Sequence, residues 1–388
     1  MDMYNILTLN KIAACGTDQL PADKFRVSSD IEPPDAILLR SADMHSYGAP
    51  DSLLAVGRAG AGVNNIPVDK YSERGIVVFN TPGANANAVK ELVIAALLLS
   101  SRKITMGIEW VQGLAGQTDV AKLVESGKSQ FVGPEISGKK LGVIGLGAIG
   151  VLVANACHSL GMDVYGYDPF LSVDSAWRLS RGVHKAAGID AILTECDYIS
   201  IHIPLNKDTK GMFNADSFSK LKKGAHILNF SRGELVDNKA VKEAVQQGVI
   251  ACYVTDFPNE ELLGVEGIIP IPHLGASTPE SEDNCAVMAA EEIRDYLLYG
   301  IIKNSVNYPD CDAPFTGRKR ICVHHKNIPN VVARLTAEVA SRGVNIDNML
   351  NRSKGVYAYT LIDVDDGELS GAAEKLRAIE GVIRVRVI

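Results

Sequence analysis

The chain has 388 residues, 46% hydrophobic and 22% charged, with a formal net charge of −7. That length allows two or three domains with ample cores, and the composition is ordinary for a soluble globular protein. A negative balance without a basic tract disfavours nucleic acid and anionic membranes as partners, and the longest apolar run, near Leu92–Leu99, is too short to span a bilayer.

The seven cysteines stand singly at 15, 157, 196, 252, 285, 311 and 322. An odd number with no CxxC argues for a reducing compartment, against a disulfide framework and against structural zinc. Met1-Asp2-Met3 opens no secretory signal. The expected location is the cytoplasm, and no metal is expected.

Residues 1–92 read as a small α/β domain. Tyr4–Leu9, Asp35–Leu39, Leu53–Val56 and Ile76–Phe79 are predicted strands between turn-rich segments. Arg40-Ser41 closes one strand, and Arg58-Ala59-Gly60-Ala61-Gly62 follows another. Glycines such as Gly60 and Gly62 expose backbone N–H groups that hold carboxylate or phosphate, and Arg40 and Arg58 would add bidentate bonds. Asn80-Thr81-Pro82-Gly83 is a turn, and Asn85 or Asn87 caps the buried helix that follows, about Ala88–Lys103. Residues 107–138 are weakly patterned and suggest an arm or loop that packs on a second subunit.

The strongest signal is Lys140 to Asp168. Leu141–Ile144 is a short apolar strand running into Gly145-Leu146-Gly147-Ala148-Ile149-Gly150. Apolar residues then recur at helical spacing until Gly161, and a second strand, Val164–Tyr167, ends on Asp168, 18 residues after Gly150. Strand, glycine turn, helix, strand and acid make a dinucleotide-binding unit. Gly145 permits the turn, Gly147 admits the pyrophosphate and Gly150 lets helix and strand pack. The helix N-terminus faces the phosphates. Asp168 suits the ribose hydroxyls and would repel a 2′-phosphate, so NAD is expected over NADP.

Further strands end on Pro204, on Ser231-Arg232-Gly233, on Asp256-Phe257-Pro258 and on Pro272-His273-Leu274-Gly275. Ligands of open α/β sheets sit beyond these carboxyl ends, so Arg232, the acids of 256–261 and His273 should converge. A long helix from Pro279 to about Leu298 leads to a linker, Asn304–Pro309. Residues 318–388 then show a βαββαβ pattern: strand 320–324, helix 329–342, strands near 346–352 and 356–363, helix 369–378, strand 382–387. This is a ferredoxin-like arrangement.

These motifs resemble the D-isomer-specific 2-hydroxyacid dehydrogenases: Arg58–Asn65, Asn80–Gly83, Gly145–Gly150 with Tyr167-Asp168-Pro169, His202-Ile203-Pro204, Asn229–Gly233 and Pro272–Thr278. The C-terminal segment resembles an ACT domain through His325–Pro329 and Gly343–Ile346. The combination is typical of the branch that oxidises 3-phosphoglycerate in serine synthesis. The resemblance implies an α/β fold with two Rossmann-like or flavodoxin-like parallel-sheet domains and a C-terminal ferredoxin-like α+β domain. Residues 1–92 and 274–305 would form a substrate domain, 93–273 an NAD domain and 318–388 the ACT domain.

It also implies residue roles. His273 would be the acid/base and Arg232 would bind the substrate carboxylate. Glu260 would orient the imidazole, with Glu261 as the alternative, since Thr255-Asp256-Phe257 replaces the usual Asp-Val-Phe and Glu260-Glu261 the usual Glu-Pro. Cofactor contacts would fall on Ala61, Ala148, Ile149, Asp168, Ile203, Ser231, Asp256, Gly275 and Ala276. Substrate phosphate would fall to Arg40 and Arg58. L-Serine, as an effector, would be held by His325, Asn327 and Asn345, with Asn330 replacing the usual glycine. A homo-oligomer is expected. Another D-2-hydroxyacid dehydrogenase acting on glyoxylate, hydroxypyruvate or 2-hydroxyglutarate, and a non-enzymatic NAD-sensing scaffold, are the competing readings.

Overall fold

The computed structural model describes residues 3–365, 369 and 371–388. They form two compact units, Met1–Asn85 with Pro279–Ile388, and Ala86–Thr278.

The first unit begins with a parallel sheet of β1 (Tyr4–Leu9), β2 (Phe25–Ser28), β3 (Ala36–Leu39), β4 (Ala55–Arg58) and β5 (Val77–Phe79), in the order β2-β1-β3-β4-β5. Every residue of Ala36-Ile37-Leu38-Leu39 is buried, as a strand covered on both faces requires. The helix Pro279–Tyr299 belongs to this unit, and its Ala289, Ile293, Tyr296 and Leu297 join the core of Ile6, Leu38 and Phe79. The short strand β2 was not foreseen. Its Phe25-Arg26-Val27-Ser28 is too brief and polar to show a period.

The second unit is a seven-stranded parallel sheet. Its strands are β6 (Lys140–Ile144), β7 (Asp163–Tyr167), β8 (His184–Lys185), β9 (Tyr198–Ile201), β10 (Ala225–Asn229), β11 (Ile250–Thr255) and β12 (Ile268–Pro270). Their order is β12-β11-β10-β9-β6-β7-β8, so the winding direction reverses between β6 and β9. The helix Ala86–Arg102 packs here: Val89, Val93, Ala96 and Leu97, at helical spacing, share a core with Leu141, Val143, Val151 and Ala154. That packing places this helix in the second unit, which runs from Ala86 to Thr278.

Within 107–138 the structure has helices at Ile104–Gln112 and Val120–Gly127, neither with a buried residue. Ile104, Ile108 and Val111 lie at helical spacing along the first of these helices and stay exposed.

The C-terminal sheet is antiparallel: β13 (Arg320–Lys326), β14 (Ile346–Lys354), β15 (Tyr357–Val364) and β16 (Val382–Val387), ordered β14-β15-β13-β16. Of the expected helix 369–378, Ala372–Arg377 is helical, and residue 370 lies outside the described residues. One face, Ile321, Val323, Ile362 and Val364, packs on the module's own helices through Val331, Leu335 and Leu376. Period-two alternation turns Cys322, Tyr359 and Leu361 to the other face, where they enter the core of Phe79, Ile293 and Tyr296. Polar bonds reinforce this seam. Arg320, fully buried, donates to both Asp363 oxygens at 2.6 and 2.9 Å and to the carbonyls of Tyr299, Ala313 and Pro314. Arg384 donates to Leu53 O at 2.6 Å and Arg386 to Leu297 O at 2.7 Å. The module expected at 318–388 therefore shares a core with the first sheet.

Candidate active site

The glycine turn sits at the reversal point of the larger sheet, where ligands of such sheets bind. Gly145 has φ +92°, and a Cβ on it would lie 2.5 Å from His202 O. A Cβ on Gly150 would lie 1.9 Å from Gly145 O, whereas nothing lies within 4 Å of a Cβ on Gly147. Open space therefore remains only at Gly147, the N-cap of the helix Ala148–Ser159, where Ala148 is exposed and Ile149 half-buried. This cradle suits a pyrophosphate at a helix N-terminus.

Asp168 ends β7. Its Oδ2 accepts from Leu146 N–H at 2.9 Å and its Oδ1 from Phe170 N–H at 2.8 Å. The carboxylate is thereby aimed beside a cavity of about 340 Å³ lined by Leu146, Asp168, Leu171, Leu179 and Val183. An apolar slot with an acid at its rim fits an adenosine. On the opposite side, His202 pairs with Ser200 Oγ at 2.8 Å, and desolvation pushes its imidazole down to about 4, so it stands neutral beside Ile203.

The next three strands deliver the other groups. Asn229, fully buried at the end of β10, accepts from Ser231 N–H and donates to Arg232 O at 3.0 Å and Tyr253 Oη at 3.3 Å. Ser231 Oγ donates to Ile201 O at 2.8 Å, tying this turn to β9. The turn leaves the Arg232 side chain exposed. After β11, Asp256 is 1% exposed, and its Oδ2 accepts from Gly275 N–H at 3.3 Å. Burial raises its carboxyl above the ordinary range, while the charges of His273 and Arg232 oppose that rise. Its Oδ1 has no hydrogen-bond partner among the described residues. After β12, His273 is exposed, its ring centroid 4.9 Å from that of Phe257. A cavity of about 420 Å³ is lined by Gly233, Asn238, Asp256, Phe257, Asn259 and His273.

Arg232, Asp256 and His273 thus converge within one unit, with Gly275 and Ala276 in the loop just beyond. Glu260 and Glu261 are exposed, and among the described residues neither makes a hydrogen bond or ion pair with His273. The sequence reading had no role for Asn229 or for the Phe257 ring. Both lie inside motifs it quoted, but a buried amide and a ring contact leave no periodic signal.

In the other unit, Arg58 ends β4, and Gly60, Ala61 and Gly62 follow it. The Arg58 guanidinium lies against Gly60, where a Cβ would sit 2.4 Å from Nη1. Asn80 Nδ2 donates to Ala61 O at 2.5 Å and Thr81 N–H to Gly60 O at 3.2 Å, so the Asn80 turn holds this loop. Arg40 is not free: its Nη1 pairs with Glu282 Oε1 at 2.6 Å.

In the C-terminal module, His325 is 2% exposed, and its two ring nitrogens pair with Thr360 Oγ1 and Lys326 O, each at 2.8 Å. Asn327 and Asn345 are exposed. Asn330 adopts φ +67°, the left-handed conformation that explains why glycine is usual there.

Among the described residues no helix is long and apolar enough to cross a membrane, and no His/Cys/Asp/Glu group is placed to hold a metal.

Residues 94–278 match the family model for the D-isomer specific 2-hydroxyacid dehydrogenase NAD binding domain. The D-3-phosphoglycerate dehydrogenase of Haemophilus influenzae is 32% identical over 352 residues, covering 88% of this chain and 82% of its own. That of Archaeoglobus fulgidus is 36% identical over 291 residues, covering 72% and 52%, so the chain spans about half the length of this longer relative. Among solved structures, an NAD+-bound 3-phosphoglycerate dehydrogenase of Entamoeba histolytica aligns with TM-score 0.62 at 26% identity, covering 79% of this chain and 99% of that one. A Rhodotorula graminis D-mandelate dehydrogenase shares the fold with TM-score 0.68 at 22% identity, covering 81% and 99%. With its glycine cradle and its cluster of Arg232, Asp256 and His273, the chain belongs to the D-isomer specific 2-hydroxyacid dehydrogenase family.

Proposed function

We propose that the chain oxidises D-3-phosphoglycerate to 3-phosphohydroxypyruvate with NAD, the first step of phosphorylated L-serine synthesis. The observation that carries the reading is the convergence of a guanidinium, a buried carboxylate and an exposed imidazole beyond adjacent strands of an NAD-binding sheet. The relatives named above support the substrate.

NAD would lie along Gly145, Gly147, Ala148, Ile149, Gly150 and Asp168, and its nicotinamide supplies the hydride acceptor. Arg232 binds the substrate carboxylate through a planar fork. His273 takes the hydroxyl proton, as a general base within reach of the substrate hydroxyl would. The buried Asp256 charge favours the imidazolium that results. Glu260, with Glu261 as the alternative, is assigned to orient the ring once substrate is bound. Within the first unit, the loop of Arg58, Gly60 and Gly62 is assigned to binding an anion.

A second reading, a dehydrogenase of an unphosphorylated D-2-hydroxy acid, draws on one observation: Arg40, assigned to the phosphate, is engaged by Glu282. The test compares kcat/KM for 3-phosphoglycerate with that for glyoxylate, hydroxypyruvate and 2-hydroxyglutarate, following NADH absorbance. A clear preference for the phosphorylated acid supports the first reading, and no preference defeats it. Any turnover also removes the NAD-sensing scaffold.

We extend the reading to a homo-oligomer, supported by the exposed apolar stripe of Ile104, Ile108 and Val111, and to a cytoplasmic location, supported by seven free cysteines. L-Serine is assigned to the exposed Asn327 and Asn345. His325 joins that site only by releasing Thr360.

A further inference from the structure

The group that touches the His273 ring is Phe257. The two planes meet at 56° with centroids 4.9 Å apart. Phe257 also lies close to the turn behind Arg232: a Cβ on Gly233 would lie 3.1 Å from Phe257 Cβ. The backbone under the ring is fixed as well. Phe257 N–H donates to Thr255 Oγ1 at 3.2 Å, and Thr255 is fully buried. Asp256, next in line, accepts from Gly275 N–H, two residues beyond the imidazole. Segment 255–257 therefore grips the His273 loop twice, by a backbone bond to Gly275 and by ring contact to His273.

The geometry points to Phe257 as the positioning residue of His273: its ring, seated on Gly233, sets the orientation of the imidazole and its spacing from the Arg232 turn. This rests on the dehydrogenase reading and deepens it. The physical need is plain. An exposed histidine without a packed neighbour spreads over about three χ1 wells, and a base must hold a fixed orientation to meet its proton. Neither Glu260 nor Glu261 supplies the restraint in this conformation. Gly233 matters through its lack of a side chain, because a methyl there would crowd Phe257 at 3.1 Å from its Cβ.

The test uses the full chain with Phe257→Leu, Phe257→Tyr and Gly233→Ala. The first readout needs no turnover: the His273 Cε1–H resonance in protein labelled with 13C-histidine, identified by its loss in His273→Gln. The Phe257 ring current displaces that resonance. Phe257→Leu should remove the displacement and Phe257→Tyr should retain it. The second readout is kinetic. Phe257→Leu should lower kcat about tenfold while leaving KM for NAD within about twofold, since misplacing a catalytic group costs rate and not cofactor affinity. Phe257→Tyr should restore kcat, and Gly233→Ala should lower kcat with a shifted resonance. A His273 resonance unmoved by Phe257→Leu overturns the proposal whatever the turnover. An unchanged kcat in Phe257→Leu overturns it as well. A moved resonance in a protein that oxidises no 2-hydroxy acid overturns the dehydrogenase reading instead.

Discussion

Gly147→Ala and Gly150→Ala add the same methyl three residues apart, and the structure assigns them opposite costs. At Gly150 the new Cβ would sit 1.9 Å from Gly145 O and 2.9 Å from Gly145 C. Both are backbone atoms, so turn and helix must part by more than an ångström. Overpacking of this kind costs about 1–3 kcal/mol or more. At about 2–4 °C per kcal/mol for a unit of this size, Tm should fall by several degrees. At Gly147 the backbone, φ −74° and ψ −160°, is open to alanine, and no atom lies within 4 Å of the new Cβ. Folding should be unaffected, with Tm within about 2 °C of wild type. The methyl instead fills the space where the pyrophosphate must approach. The same overpacking of about 1–3 kcal/mol now weakens NAD binding by about 5- to 150-fold. Differential scanning fluorimetry and NAD titration calorimetry separate the two effects. Wild-type NAD affinity in Gly147→Ala would refute the placement of the pyrophosphate. An unchanged Tm in Gly150→Ala would refute the packing argument.

Arg320→Met leaves Asp363 buried without its partner and strands three carbonyls. It should cost about 3–5 kcal/mol in denaturant unfolding, and a loss under about 1 kcal/mol would mean the seam is not held there. Glu292, 7% exposed, is pushed up by burial from the ordinary 4.5 to about 8. The folded state then keeps a proton that the unfolded chain releases between those values, so stability falls as pH rises through that window. In thermal melts Glu292→Gln should match wild type near pH 5 and exceed it near pH 9, and a gap that does not widen with pH rejects the assignment. Asp168→Ser removes the charge facing the ribose and should raise the NADP-to-NAD ratio of kcat/KM about tenfold or more; an unchanged ratio places cofactor choice elsewhere.

Much of this arrangement was legible in the sequence because it repeats or punctuates. The strand–glycine–helix–strand–acid run located the cradle and Asp168, and strands ending on Arg232, Asp256 and His273 foretold their convergence. Tertiary packing was harder to see. The docking of the C-terminal sheet depends on Cys322, Tyr359 and Leu361 turning to a second buried face, and a short strand buried on both faces resembles any apolar run. The engagement of Arg40 by Glu282 joins residues far apart in the chain, and no local pattern announces it. His325 fits its motif by spacing, yet Thr360, from a neighbouring strand, occupies its ring. The helix Ala86–Arg102 was found nearly in full, while its allegiance to the second unit followed only from what its apolar face covers.

The central claim is that His273 performs chemistry on a substrate beside NAD held by the glycine cradle. The direct measurement is NAD affinity and turnover of 3-phosphoglycerate in His273→Ala. Loss of a positioned acid/base costs about 10²- to 10⁴-fold in rate, and nothing in the cradle changes, so NAD should bind within about twofold of wild type while NADH formation collapses. Turnover that survives the substitution would contradict the account.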